Sequence, residues 1–158
     1  MERAIASYNC SVMNGRILAL DVGRRRIGMA ISDPLGMTAQ GLPTLERTQI
    51  RADISHLARM VRENEVERIL VGLPLHLSGS EGRQAEYVRE FASRLERETG
   101  LRVVFWDERF TTVEANRVLR ESGIGLEKRT RAVDKLSAVI LLESYLDALE
   151  YGSESTEA

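Results

Sequence analysis

The sequence predicts a single α/β domain built on a mixed sheet of five strands flanked by helices. Three observations carry that prediction. The uninterrupted apolar run Ile17-Leu18-Ala19-Leu20 reads as a strand buried on both faces of a sheet. Just after it, Ile27, Met29 and Ile31 alternate with Gly28, Ala30 and Ser32, the period-two pattern of a partner strand. The link between them is too short for a crossover helix, so the two should pair as an antiparallel hairpin. Downstream, apolar strands alternate with amphipathic helices, an order that places the later strands parallel to the first. At 158 residues the chain suits one domain with a proper core.

Taken in order, residues 1–14 show no periodicity and are expected to be a disordered extension, with Met13 an alternative start. The domain is expected to run over residues 15–150. After the hairpin, Asp33-Pro34-Leu35-Gly36 is a turn, with Asp33 serving the turn itself. Thr38 to Leu45 follows as an edge strand, a place that tolerates Pro43. Ile50, Ile54, Leu57, Ala58 and Val61 recur at helical spacing. Arg68-Ile69-Leu70-Val71-Gly72 is a second buried strand, running into a loop rich in Gly, Ser and Pro that ends near Gly82. Ala85, Val88, Phe91, Ala92 and Leu95 mark the next helix, with Gly100 as its C-cap. Leu101 to Trp106 is the last strand. Thr111-Thr112-Val113-Glu114 fits a capping box that opens a helix to about Gly123. A basic loop follows, then a final helix carrying Val133, Leu136, Val139, Ile140 and Leu146. Residues 151–158 are expected to be a disordered tail.

No apolar run approaches the ~20 residues that cross a bilayer, and nothing near the N-terminus has the long apolar core of a signal peptide. The lone Cys10 excludes an internal disulfide and fits a reducing compartment, so a cytoplasmic protein is expected. The net charge of −2 argues against a globally basic nucleic-acid binder, but the distribution is uneven. Of 22 basic residues all but Lys128 and Lys135 are arginine, clustered as Arg24-Arg25-Arg26 and around Lys128-Arg129-Thr130-Arg131. Arginine presents a planar fork suited to phosphate; the plainer reading of each cluster is a solvated charge run.

Functional residues of α/β sheets gather at the carboxyl ends of strands. Here those ends are Asp21, the Gly72-Leu73-Pro74 turn and Asp107-Glu108, and the final helix adds Asp134 in its first turn. Ser137 and Ala138, at i+3 and i+4 from Asp134, are small enough to let that turn approach the sheet. Three carboxylates converging from Asp21, Asp107-Glu108 and Asp134 would repel one another without a cation among them. All-oxygen ligands select Mg²⁺ or Mn²⁺, and a pair of such ions activates water in phosphodiester hydrolysis. No Cys/His cluster competes, since His56 and His76 stand alone. Neighbours on a strand point to opposite faces, which makes Asp107 the weaker candidate beside Glu108. The plainer readings are a turn aspartate for Asp21, a surface ion pair with Arg109 for Glu108, and a helix-start acid for Asp134. Phosphate contact is a secondary expectation for Thr111, Thr112 and the Gly79-Ser80-Glu81-Gly82 loop, which precedes a helix N-terminus. Phe105 and Trp106 read either as base-stacking platforms or as core.

Leu20-Asp21-Val22-Gly23 with Arg26-Ile27-Gly28, Val71-Gly72-Leu73-Pro74-Leu75 with Gly79-Ser80-Glu81-Gly82, Asp107-Glu108-Arg109-Phe110-Thr111-Thr112 and Val133-Asp134-Lys135 stand in the order found in the YqgF/RuvX family, which this chain resembles from about Gly15 to Leu149. That family is described as Holliday-junction resolvase-like and as pre-16S rRNA nucleases with a ribonuclease H-like fold. The resemblance implies that Asp21, Glu108 and Asp134 are catalytic and hold Mg²⁺ or Mn²⁺ in a two-metal site. Arg24, Arg25, Arg26, Arg109, Lys128, Arg129, Arg131 and Lys135 are then the candidates for nucleic-acid contact. His76 stands where the family usually has asparagine, and Ser137 where alanine is common. Related bacterial junction resolvases carry their second acid on the strand corresponding to Arg68–Gly72; this chain has none there and offers Glu108 instead.

The function implied is 5′-end processing of structured precursor 16S rRNA by a monomer or weak dimer, with no membrane partner. Two alternatives are carried: a resolvase of branched DNA, which needs a two-fold dimer, and a non-catalytic nucleic-acid-binding or transcription-associated module. Asp-Val-Gly after a strand also resembles the phosphate hairpin of actin-like ATPases, but those need two lobes and this chain has room for one.

Overall fold

A computed structural model describes residues 15–76, 78–108 and 136–149. The expected extension 1–14, the helix over 111–123, the basic loop, Asp134 and the tail 151–158 lie outside the described residues. The expected sheet forms. It comprises β1 (Arg16–Val22), β2 (Arg26–Ser32), β3 (Ala39–Glu46), β4 (Val66–Leu73) and β5 (Val103–Asp107), ordered β3-β2-β1-β4-β5. β1 and β2 pair antiparallel, with Val22 opposite Ile27 and Asp21 opposite Gly28. β4 lies parallel to β1, with Leu20 beside Val71, and β5 lies parallel to β4, with Leu73 beside Asp107. The carboxyl ends of β1, β4 and β5 therefore share one edge of the sheet.

Side-chain alternation along these strands divides the core into two layers. Leu18, Leu20, Val22, Ile69, Val71 and Val103 pack on one face against α1 (Ile50–Glu63) and α2 (Arg83–Thr99). Ile17, Ala19, Leu70, Val104 and Trp106 pack on the other against α3, helical over 136–149, through Ala138, Leu141, Leu142 and Tyr145. Gly100 takes the left-handed conformation at φ 73° and closes α2 as its C-cap, donating to the Glu96 carbonyl.

Two strands begin later than their apolar patterns suggest, for local reasons. Thr38 lies before β3 because its amide and hydroxyl serve the Asp33 carboxylate, at 2.7 and 3.2 Å. Leu101 is outside β5 because its amide turns back to the Thr99 hydroxyl at 3.2 Å. Asp33 is the turn residue expected: amides of Thr38, Met37 and Leu35 all donate to it and hold its carboxyl below the usual range. β3 lies at one margin of the described sheet, where Pro43 is tolerated.

Candidate active site

At the shared edge, parity places the acids. Asp21 is two residues on from Ala19 and points to the α3 face. Gly72, two on from Leu70, and Glu108, two on from Trp106, belong to that face as well, whereas Asp107 belongs to the other and is exposed. The Glu108 amide donates to the Leu73 carbonyl at 3.3 Å, which carries the β4–β5 ladder one residue past the strand end. The Glu108 carboxyl then folds back across β4 and hydrogen-bonds Asp21. Gly72 makes room for it: a Cβ at that position would lie 2.9 Å from Glu108 Cδ and 3.2 Å from Leu141 Cδ2.

Two carboxylates side by side cannot both ionise cheaply in a half-dry site. Burial, then the Asp21 charge and hydrogen bond, then the Asp107 charge push Glu108 up to about 9. Glu108 thus favours its protonated form in the metal-free fold. A divalent cation satisfies the same two groups without the proton, which is the chemistry these donors fit. Above them on α3, Ser137 is 1% exposed and its hydroxyl has no hydrogen-bond partner among the described residues, and Ala138 is 0% exposed. The two small residues let the first described turn of α3 press onto the sheet, as their sequence position implied. Asp134 lies outside the described residues, and among those described no group of three metal-ligating side chains assembles.

The hairpin beside Asp21 is closed by the Gly23 amide donating to the Arg26 carbonyl at 2.9 Å. A Cβ on Gly23 would stand only 2.7 Å from that oxygen. The hairpin leaves Arg24 and Arg25 exposed and Arg26 partly buried. Arg24 Nε donates to Gln84 Oε1 on α2 at 3.4 Å. Arg109, Lys128, Arg129, Arg131 and Lys135 lie outside the described residues.

Sequence reasoning missed the group that holds this hairpin. Arg47, with its side chain 7% exposed, pairs with Asp53, 2% exposed, at 3.1 Å. Its guanidinium also donates to the Gly23 carbonyl at 3.0 Å and to the Tyr87 hydroxyl, and lies over the Phe91 ring at 5.0 Å. The Arg47 amide bonds the Arg25 carbonyl at 2.9 Å. Both ends of the arginine turn are thereby tied to α1 and α2. The signal was an acid on an apolar stripe: Asp53 falls at i+3 from Ile50, among Ile54 and Leu57.

Phe105 and Trp106 act as core. Trp106 donates to Ser144 at 3.1 Å and meets the Tyr145 ring edge-on at 5.2 Å, while Phe105 packs under the Arg89 guanidinium. In the 74–82 loop Glu81 is engaged by Arg89, and His76 sits over Gly82, where a Cβ would come within 2.6 Å of its Nε2.

A profile of the RuvX family, described as Holliday junction resolvase, matches residues 15–148. The chain belongs to the RuvX family. A protein from Koribacter versatilis is 57% identical over 137 residues, 87% of this chain and 90% of that protein. One from Moorella thermoacetica is 50% identical over 134 residues, 85% and 96% of the two chains. Both carry the name "Putative pre-16S rRNA nuclease". Among solved structures, Thermus thermophilus RuvC in complex with Holliday junction substrate superposes with a TM-score of 0.55 at 12% identity, covering 87% of this chain and 96% of that one. Fowlpox virus resolvase, solved with Holliday junction DNA, gives 0.53 at 14% identity, covering 85% and 98%. At such identities these likenesses speak for the fold alone, and that fold is the ribonuclease H-like one expected of this RuvX-family chain.

Proposed function

We propose that this protein is a divalent-cation-dependent nuclease that hydrolyses phosphodiester bonds in structured RNA, with the 5′ end of precursor 16S rRNA as its substrate during ribosome biogenesis. The observation that carries the reading is the Asp21–Glu108 pair, two hydrogen-bonded carboxyls folded together at the sheet edge, with Gly72 making room for the second. The names of the RuvX-family relatives support the substrate.

In this reading Asp21 and Glu108 hold Mg²⁺ or Mn²⁺, and Asp134 completes a two-ion site. A bound ion pair supplies activation of water and stabilisation of the leaving oxygen. The chain's own residues bind and orient. Gly72 keeps the Glu108 carboxylate lying against β4, and Ser137 and Ala138 bring the first described turn of α3 close to the sheet. Arg24, Arg25 and Arg26 at the hairpin hold phosphates beside Asp21, and Arg109, Lys128, Arg129, Arg131 and Lys135 extend that contact. No helix among the described residues is long and apolar enough to cross a membrane. A cytoplasmic monomer or weak dimer is the state in which we expect the enzyme to work.

Cleavage of four-way DNA junctions is the second reading, favoured by the family's description. End-labelled 5′-extended 16S precursor and a four-way junction are each incubated with Mn²⁺ or Mg²⁺, using wild type and Asp21→Asn. Metal-dependent RNA cutting that Asp21→Asn abolishes is the expected result. Junction cutting alone replaces the substrate. Equal activity of Asp21→Asn overturns the site.

A further inference from the structure

The face of α2 turned toward α1 carries a stripe that catalysis does not use. Gln84, Tyr87, Phe91, Arg94 and Glu98 follow one another at helical spacing. At its upper end lies a cleft of about 560 Å³ between the Arg24–Arg25 hairpin, Arg47 and Tyr87. At its lower end lies a second cleft of about 310 Å³, flanked by Arg51, Arg94 and Arg97. Ile50 lines both, so the two adjoin.

Six arginines line this course against Glu46 and Glu98. Asp53 neutralises Arg47, which leaves Arg24, Arg25, Arg51, Arg94 and Arg97 as the exposed positive charges of the course. Arg94 meets Glu90 at 3.3 Å, but both side chains are well exposed, and such pairs exchange readily for phosphate. The excess of arginine over acid along this strip, on a chain of net charge −2, is a local feature and does not follow from composition. From Gln84 to Arg97 the helix rises about 20 Å at ~1.5 Å per residue. That matches about six nucleotides at ~3.4 Å each along one strand.

The strip and the carboxylates lie on opposite faces of the sheet and, among the described residues, are joined where the Gly23–Arg26 hairpin straddles the edge. A ligand using both must bend sharply over that edge. A duplex is too stiff for this on a scale of a few nucleotides, its persistence length being about 150 base pairs. A single strand is not.

We infer that the clefts along α2 form a track for the single-stranded flank of the nucleic-acid substrate, reached from the active edge across Arg24 and Arg25 and held at its far end by Arg51, Arg94 and Arg97. The inference rests on the nuclease reading for its substrate class and adds a strandedness requirement to it.

Fluorescence anisotropy with a labelled 20-nucleotide single-stranded RNA, titrated across salt concentrations, tests it. Arg51→Gln, Arg94→Gln and Arg97→Gln are combined in one variant. Arg59→Gln, Arg62→Gln and Arg102→Gln, also exposed, are combined in a control of equal charge. Each phosphate that the protein no longer neutralises lowers the slope of log K against log salt by ~0.7 for a single strand, so the slope of the track variant should fall by about 2. The slope of the control should not fall, and a 20-base-pair duplex RNA should show no difference between the two variants. Equal slopes for the two variants on single strands overturn the track while leaving the nuclease reading intact. A larger fall on the duplex overturns its strandedness. Wild type that binds neither RNA overturns the track and the RNA-processing reading together.

Discussion

Gly72 and Glu108 share one space: the hydrogen atom that serves as a side chain on β4 is what lets the carboxyl at the end of β5 reach Asp21 on β1. The second acid of the site therefore arrives from a strand two places away from the first, across a gap kept open by glycine.

Gly72→Ala should separate folding from catalysis. The added methyl overlaps the Glu108 carboxylate and presses on Leu141 Cδ2 at 3.2 Å. Overpacking of this kind costs about 1–3 kcal/mol. Displacing a reacting-centre ligand by an ångström costs about 10²-fold in rate. Urea denaturation and cleavage kinetics on the same preparation check both. Full activity in a stably folded Gly72→Ala protein refutes the role given to Glu108.

The Glu108 titration makes a pH prediction. Its ordinary value is 4.5 and its folded value about 9, so the fold prefers the protonated form. That contribution is complete below pH 4.5 and is lost as pH rises through about 9. Without divalent cations, stability in urea should fall steadily from about pH 5 to about pH 9, and Glu108→Gln should flatten the decline. Added Mg²⁺ should reverse the trend, because a cation favours the charged carboxylate and binds more tightly as the proton leaves. A metal-free curve that rises toward the alkaline end contradicts the raised Glu108 titration.

Asp53→Ala leaves the Arg47 guanidinium buried without its carboxylate, which costs about 3–5 kcal/mol. Adding Arg47→Met should recover much of that loss, since a buried pair replaced by apolar groups is often near neutral. Chemical denaturation of the two single variants and the double variant gives the coupling directly. Activity should not recover in the double variant, because the Gly23 carbonyl is then without its anchor.

Ser137→Ala removes a buried hydroxyl that has no hydrogen-bond partner among the described residues. The metal-free protein should gain about 1 kcal/mol, read as a higher melting temperature. A fall in stability would mean that the hydroxyl is satisfied in solution.

Much of this was legible in the sequence because it depends on short-range pattern. The Ile17–Leu20 run, the alternation from Ile27 and the stripes of α1 and α2 each report their own burial, and strand ends followed by short loops report which edge is polar. Asp21 and the Asp107-Glu108 pair stood out as candidates this way; parity said that the two neighbours face opposite sides, and the family resemblance favoured Glu108. Arg47 was not found, because its importance arises only once Gly23, Asp53 and Tyr87, distant in the chain, come together around it. Gly72 looked like part of a turn; that it is a vacancy for another residue's carboxyl is a property of three strands at once.

The strand order has a consequence for motion. Leu18, Ala19 and Leu20 lie between two ladders, to β2 and β4, so their amides should exchange with solvent only through global opening. The Glu108 amide hangs on a single 3.3 Å bond beyond the end of a strand that has one neighbour among the described residues. The two halves of the site therefore live on different clocks. Asp21 should sit on the rigid side of the site, and faster amide exchange at Glu108 than at Leu20 is the outcome that checks it.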